Sequence, residues 1–218
     1  MLTSKKDKLF TAIIENNIAA AEKLLKGIFK VSPNYQQKVT PWIQSGQIKV
    51  GEQQNIWEIS DISPLHLAVI FNQPKMVKKL VEYGADVNKQ IFYTKMTGPN
   101  HAVSELLTPL LFSVYEIADA TSEIEHTKAL EIYCMLRSAN ARLVGVDDPV
   151  DAYFGAGIAQ SHIDRHMEIP KFKCAYKKAE EHYHVAIQKS VFVEKLSQRP
   201  KRSEQQTKNA VSVQQIKL

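Results

Sequence analysis

Cysteine is scarce: Cys134 and Cys174 are the only two in 218 residues. A single bridge is too sparse to be the framework of a secreted domain this long, so reduced thiols in a cytoplasmic setting are expected. Long apolar runs are missing as well. The longest uncharged stretches, near residues 64–71 and 106–115, fall short of the roughly 18 to 20 residues that span a bilayer, and no membrane span is expected. Lys5, Lys6, Asp7 and Lys8 precede only a brief apolar run, broken by Glu15, Asn16 and Asn17, which argues against a cleavable signal peptide. Charge of one sign is not concentrated in the body of the chain. The net charge of +5 owes much to the end, where Arg199, Lys201, Arg202, Lys208 and Lys217 face only Glu204. That run reads as a solvated tail, and nucleic acid is not the expected partner. Glycine-rich phosphate loops and serine-elbow motifs are absent, and neither cysteine sits in a nucleophile motif. No catalytic residue, cofactor or resident metal is assigned, and no enzyme is expected.

What the chain does have is an internal period. Ser63, Pro64, Leu65, His66, Leu67 and Ala68 are followed by Val77, Leu80 and Val81, then by Tyr83, Gly84, Ala85, Asp86, Val87 and Asn88. Ser63 can cap a helix whose first position is Pro64, where the missing backbone donor costs nothing. Leu65, Ala68 and Val69 then recur at helical spacing. Pro74 restarts the chain, Met76, Val77, Leu80 and Val81 form a second apolar stripe, and Gly84 ends it as a left-handed cap would. Two fainter copies flank this unit. Leu9, Ala12, Ile13, Asn16, Asn17, Leu24 and Leu25 each stand 56 positions before Leu65, Ala68, Val69, Asn72, Gln73, Leu80 and Val81. Downstream, Thr108, Pro109, Leu110 and Val114 repeat Ser63, Pro64, Leu65 and Val69, while Met135 and Leu136 fall about ten residues late against Leu80 and Val81. Asp119 to Thr127 therefore reads as an insertion or an extension, and Ser138, Ala139 and Asn140 close the third copy without a glycine.

The unit around Pro64 to Asn88 resembles an ankyrin repeat. The resemblance implies an all-α fold, an ankyrin-repeat solenoid of about three degenerate repeats near 5–28, 60–90 and 106–143 within a domain over 1–145. It implies protein partners, and a turn-stabilising role for His66. Against a repeat of about 33 residues, the surplus falls between Ile28 and Ser60 and between Lys89 and Leu107, where the family has its projecting hairpins. Insertions of repeat proteins gather on one face, often the binding face. Trp42, Trp57, Phe92 and Tyr93 lie in them and are the expected partner-binding residues, with anchoring of the long loops as the alternative use of these aromatics.

After Asp147 the pattern changes. Residues 146–198 are expected to form a helical cap or extension, because a terminal repeat must shield its apolar side. Phe172, Tyr176, Ala179, Tyr183, Ile187 and Val191 mark one amphipathic helix after Pro170. Residues 199–218, poor in large apolar groups, are expected to form a disordered basic tail. His162 and His166, four apart, with Cys174, His182 and His184, raise a metal site as an alternative, but they match no zinc spacing. The alternative function is an enzyme or metal-dependent activity in this segment, with the repeats as substrate selector. The favoured function is recognition of a protein through the concave helical face and the inserted loops. Abundant Lys, Gln, Ile and Asn, degenerate repeats and irregular insertions also resemble ankyrin effectors that intracellular bacteria deliver into host cells.

Overall fold

The computed structural model describes residues 4–26, 30–37, 58–59, 62–98, 101–143, 164 and 167–197. Trp42, Trp57, His162, His166, the stretch 144–163 and the tail from 198 onward lie outside the described residues. One compact unit runs to Tyr183, and residues 184–218 form a second. The framework of the first unit is helical. Helices α1 (Lys5–Ile14) and α2 (Ile18–Leu25), α3 (Pro64–Ile70) and α4 (Pro74–Glu82), and α5 (Pro109–Asp119) and α6 (Glu123–Ser138) form three successive pairs. First helices pack on first helices, α1 on α3 on α5, and second on second, α2 on α4 on α6. Helix α7 (Pro170–Ser197) follows.

Local chemistry starts α1, α3 and α5. Ser63 and Thr108 accept hydrogen bonds from the backbone N–H groups of His66 and Leu111, with Pro64 and Pro109 at the first helical position. Ser4 and Asp7 close a reciprocal capping box on α1. The ends are equally regular. Asn16, Asn72, Gly84 and Asn140 are the described residues with positive φ, at 53°, 50°, 83° and 62°. Each follows a helix, and the carbonyls left over there take the paired bonds of a Schellman turn. Asn72 N–H bonds Val69 O and Gln73 N–H bonds Ala68 O. Asn16 and Asn17 repeat that pattern on Ile13 and Ala12. Gly84 and Ala85 bond Val81 and Leu80, and Asn140 and Ala141 bond Arg137 and Leu136. Asparagine tolerates the left-handed region better than other non-glycine residues, so Asn140 takes the place of the absent glycine.

That last match corrects the sequence alignment by one residue. Leu136, not Met135, is the counterpart of Leu80: both are fully buried, and both accept the cap bond. With that correction the third copy has eleven surplus residues, and they are an extension of its helices. Helix α5 has 11 residues where α3 has 7, and α6 has 16 where α4 has 9, joined through a short turn capped by Ser122.

The core is continuous along the stack. Leu9, Phe10, Ile13, Leu65, Ala68, Val69, Met76, Val77, Leu80, Leu110, Val114, Ile132 and Leu136 all lie within it. Helix α7 adds Phe172, Ala175 and Ala179, which are buried, with the Phe172 ring 5.1 Å from that of Tyr115. Tyr133, fully buried on α6, donates its hydroxyl hydrogen to Glu180, and Arg137 Nε donates to the same carboxylate at 3.0 Å. The stripe expected along α7 loses its burial after Tyr183. In the second unit Ile187 and Val191 are 41% and 44% exposed.

Three measurements check this packing. Leu80→Ala removes a side chain closed on all sides and should cost on the order of 2 to 5 kcal/mol in urea unfolding, a loss under about 0.5 kcal/mol being incompatible with the stacking described. Glu180→Ala strands the Tyr133 hydroxyl in the core, and a destabilisation of about 1 to 3 kcal/mol is expected. His66 is completely buried, and burial drives its pKa down from 6.5 to about 3. The unfolded chain then binds a proton that the folded one refuses, so stability contributed by the neutral ring should decline as pH falls below 6.5. A His66→Leu variant should lack that part of the acid dependence in thermal melts, and identical acid profiles for both proteins would remove His66 from the account.

Candidate partner-binding surface

The second insertion is a β-hairpin. Strands β2 (Ile91–Gly98) and β3 (His101–Leu107) pair antiparallel from Ile91 with Leu107 out to Gly98 with His101, with an irregularity between Met96 and Gly98. Its base is anchored: Ile91 and Leu107 are each 1% exposed in the core. A short strand β1 (Glu58–Ile59), from the end of the first insertion, pairs with Thr94 and Tyr93 on the free edge of β2. The two insertions thus share one sheet, ordered β1, β2, β3. Phe92 and Tyr93 lie within β2, in register with Leu106 and Glu105.

Residues 30–37 brace the near side of this sheet. Gln37 and Ile62 exchange backbone hydrogen bonds, and Gln36 Nε2 donates to Gln90 O at 2.9 Å. Asn34 clips the turn after α4, its Nδ2 donating to Gly84 O at 3.0 Å while its Oδ1 accepts from Asp86 N–H at 2.6 Å. Asn88 repeats the clip one unit on. Its Oδ1 accepts from Arg142 N–H at 2.8 Å, and its Nδ2 makes a long 3.5 Å contact with Asn140 O. These two asparagines set the spacing of successive turns, a role the sequence reading did not assign to them. The shared positions of Asn34 and Asn88, each ahead of a left-handed turn in the next unit, carried the signal.

His66 ties the hairpin base to the helices. Its Nε2 lies 3.1 Å from Leu107 O, and a carbonyl can only accept, so Nε2 carries the hydrogen. Nδ1 must then accept, and the Ser63 hydroxyl donates to it at 2.6 Å. A hydroxyl beside an imidazole is also the geometry of a nucleophile and its base. Here Ser63 is 2% exposed and His66 fully buried, so no substrate reaches the pair. Thr108 does the corresponding work in the third unit, its Oγ1 3.0 Å from the carbonyl oxygens of both Arg142 and Leu143.

At the opposite ends of the helices, where α3 and α5 turn into their partners, lies a cavity of about 330 Å3 lined by carboxyl groups that the sequence reading passed over. Glu116, Asp119 and Glu125 face it, with Ile70, Asn72 and Thr121. Thr121 holds Glu125 Oε2 through its N–H at 2.9 Å and its hydroxyl at 2.8 Å. These bonds, the backbone one foremost, keep the Glu125 carboxyl below its ordinary range. Burial, followed by the charges of Asp119 and Glu125, pushes Glu116 up to about 8. The clue in the sequence is a lone glutamate inside the apolar run from Leu110 to Ile117.

On α7, Cys174, His182 and His184 are exposed, and His162 and His166 lie outside the described residues. Among the described residues no group of three or more His, Cys, Asp and Glu side chains is placed to hold a metal ion. No described helix is long and apolar enough to cross a membrane.

No curated protein matches the chain. Residues 60–91 match the family model described as "Ankyrin repeat", the segment that carries Ser63, His66, Leu80 and Gly84. By that match residues 60–91 form an ankyrin repeat, with helix pairs stacked on either side of the segment and a hairpin projecting from it.

Proposed function

We propose that the chain binds a protein partner on the side where the hairpin meets the helical stack, and that it works by shape and burial without turnover. The pairing of β1 with β2 carries the reading: strands from two separate insertions are held in one sheet, with the aromatic positions Phe92 and Tyr93 on its central strand. Phe92 and Tyr93 belong to that sheet, Trp57 directly precedes β1, and Trp42 lies earlier in the same insertion. Aromatic anchors of this kind dominate binding energy at protein interfaces. The three helix pairs act as three repeats from which the sheet projects. Helix α7 as far as Tyr183 closes the stack, since Phe172, Ala175 and Ala179 cover apolar side chains of α5 and α6 that would otherwise meet water. Delivery into a host cell as a bacterial effector is the finer form of this reading, and it rests on the texture of the sequence.

The reading is tested by affinity capture with the intact chain, in parallel with Trp42→Ala, Tyr93→Ala and, as a control on the outer helix, Lys75→Ala. A bound protein retained by wild type and Lys75→Ala, and weakened at least tenfold by either aromatic substitution, is the expected result. A partner held equally by all four proteins would place recognition elsewhere.

A further inference from the structure

The cavity at the turns of the second and third helix pairs gathers carboxyl groups without a matching set of cations among the described residues. Helix α5 contributes Glu116 and Asp119, and α6 contributes Glu125. From α3 and its turn come Ile70 and Asn72, neither of which titrates. From α7 comes Lys171, whose Nζ sits 2.6 Å from Asp119 Oδ1 and is engaged by that carboxylate. Asn72 crosses the joint, its Nδ2 donating to Glu125 O at 2.9 Å, while its buried Oδ1 has no hydrogen-bond partner. The seam between the two pairs therefore passes through the carboxyl cluster itself.

We propose that this seam is a pH-responsive joint, in which ionisation of Glu116 against Asp119 and Glu125 weakens the seating of α5 and α6 on α3 and its turn. In its neutral form Glu116 adds no charge to a site already holding two carboxylates. Once ionised it meets both of them across the cavity, with the nearby ammonium group already bound to Asp119. The folded chain holds this proton up to a pH of about 8, whereas the ordinary value is 4.5. More protons are thus bound folded than unfolded between those limits, so stability falls as pH rises through the interval and levels off above it. The third helix pair is the part that loosens, because the cluster lies on its boundary and not inside the second pair.

Glu116→Gln in the full chain keeps the shape of the protonated side chain and deletes the titration. Urea unfolding of wild type and variant at intervals from pH 5 to 9 should show their unfolding constants diverging, by up to the order of tenfold per pH unit, and running parallel above about pH 8. Amide hydrogen exchange at pH 6 and 8.5 should show wild-type protection lost in α5 and α6 and kept in α3 and α4, with the variant unchanged. Asp119→Asn, which leaves Glu116 in place but removes one neighbouring charge, should bring the levelling-off to lower pH. Parallel pH profiles for wild type and Glu116→Gln would overturn the proposal, as would protection lost evenly over all three pairs. Should Glu116→Gln fail to fold, an Asp119→Asn profile that levels off where wild type does would have the same force.

Discussion

No helix pair in this chain can shield its own apolar surface. Helices α3 and α4 together bury Leu65, Ala68, Val69, Met76, Val77 and Leu80, yet they contain only 7 and 9 residues, too short to persist in water unsupported. Their stability comes from the pairs on either side, and those pairs depend on them in turn. Hydrophobic stacking of this kind has no direction of its own. Polar groups supply the register, and they do so at the turns: Asn34 and Asn88 span successive units, His66 reaches Leu107, and Gln73 Nε2 reaches back to Ile13 O at 2.8 Å. Sliding one pair by a residue would leave His66 and Gln73, both buried, without these partners, at a cost comparable to losing several core methyl groups.

This division explains what could be read from the sequence. Helix starts at Pro64, Pro74 and Pro109 and the stop at Gly84 are written in residues whose backbone preferences act locally, and the structure has them there. The match between Asn16 and Asn72 was visible as a coincidence of spacing; its cause, a left-handed residue closing the first helix of each pair, needed the dihedral angles. The third copy was harder. Its extra residues lengthen two helices without breaking their period, so a pattern search sees a late helix and assigns Met135 where Leu136 belongs. Asn140 hid the final turn because it supplies by tolerance what glycine supplies by freedom.

The binding surface was legible only in outline. Insertion lengths placed extra chain on one edge, but pairing between β1 and β2 joins residues more than thirty apart in sequence, a contact that no local rule encodes. The stripe on α7 errs in the other direction. Helical periodicity runs on through Ile187 and Val191, while burial is absent at both. Periodicity reports what a helix could bury; whether anything is there to bury it is decided by the rest of the fold.

Glu116 shows the same rule in a charged residue. Within α5 it is one polar position in an apolar run, which local reasoning treats as solvated. Its chemistry is set by Asp119 one turn on, by Glu125 after the turn, and by the proximity of a second helix pair that removes water. A half-buried carboxyl beside two others is costly, and an apolar or amide side chain would pack there with less electrostatic strain. The polar groups at the other turns each hold two units together; this one opposes that union whenever it is charged. That local opposition passes outward to α7, because α6 also carries the Tyr133 and Arg137 contacts that seat it.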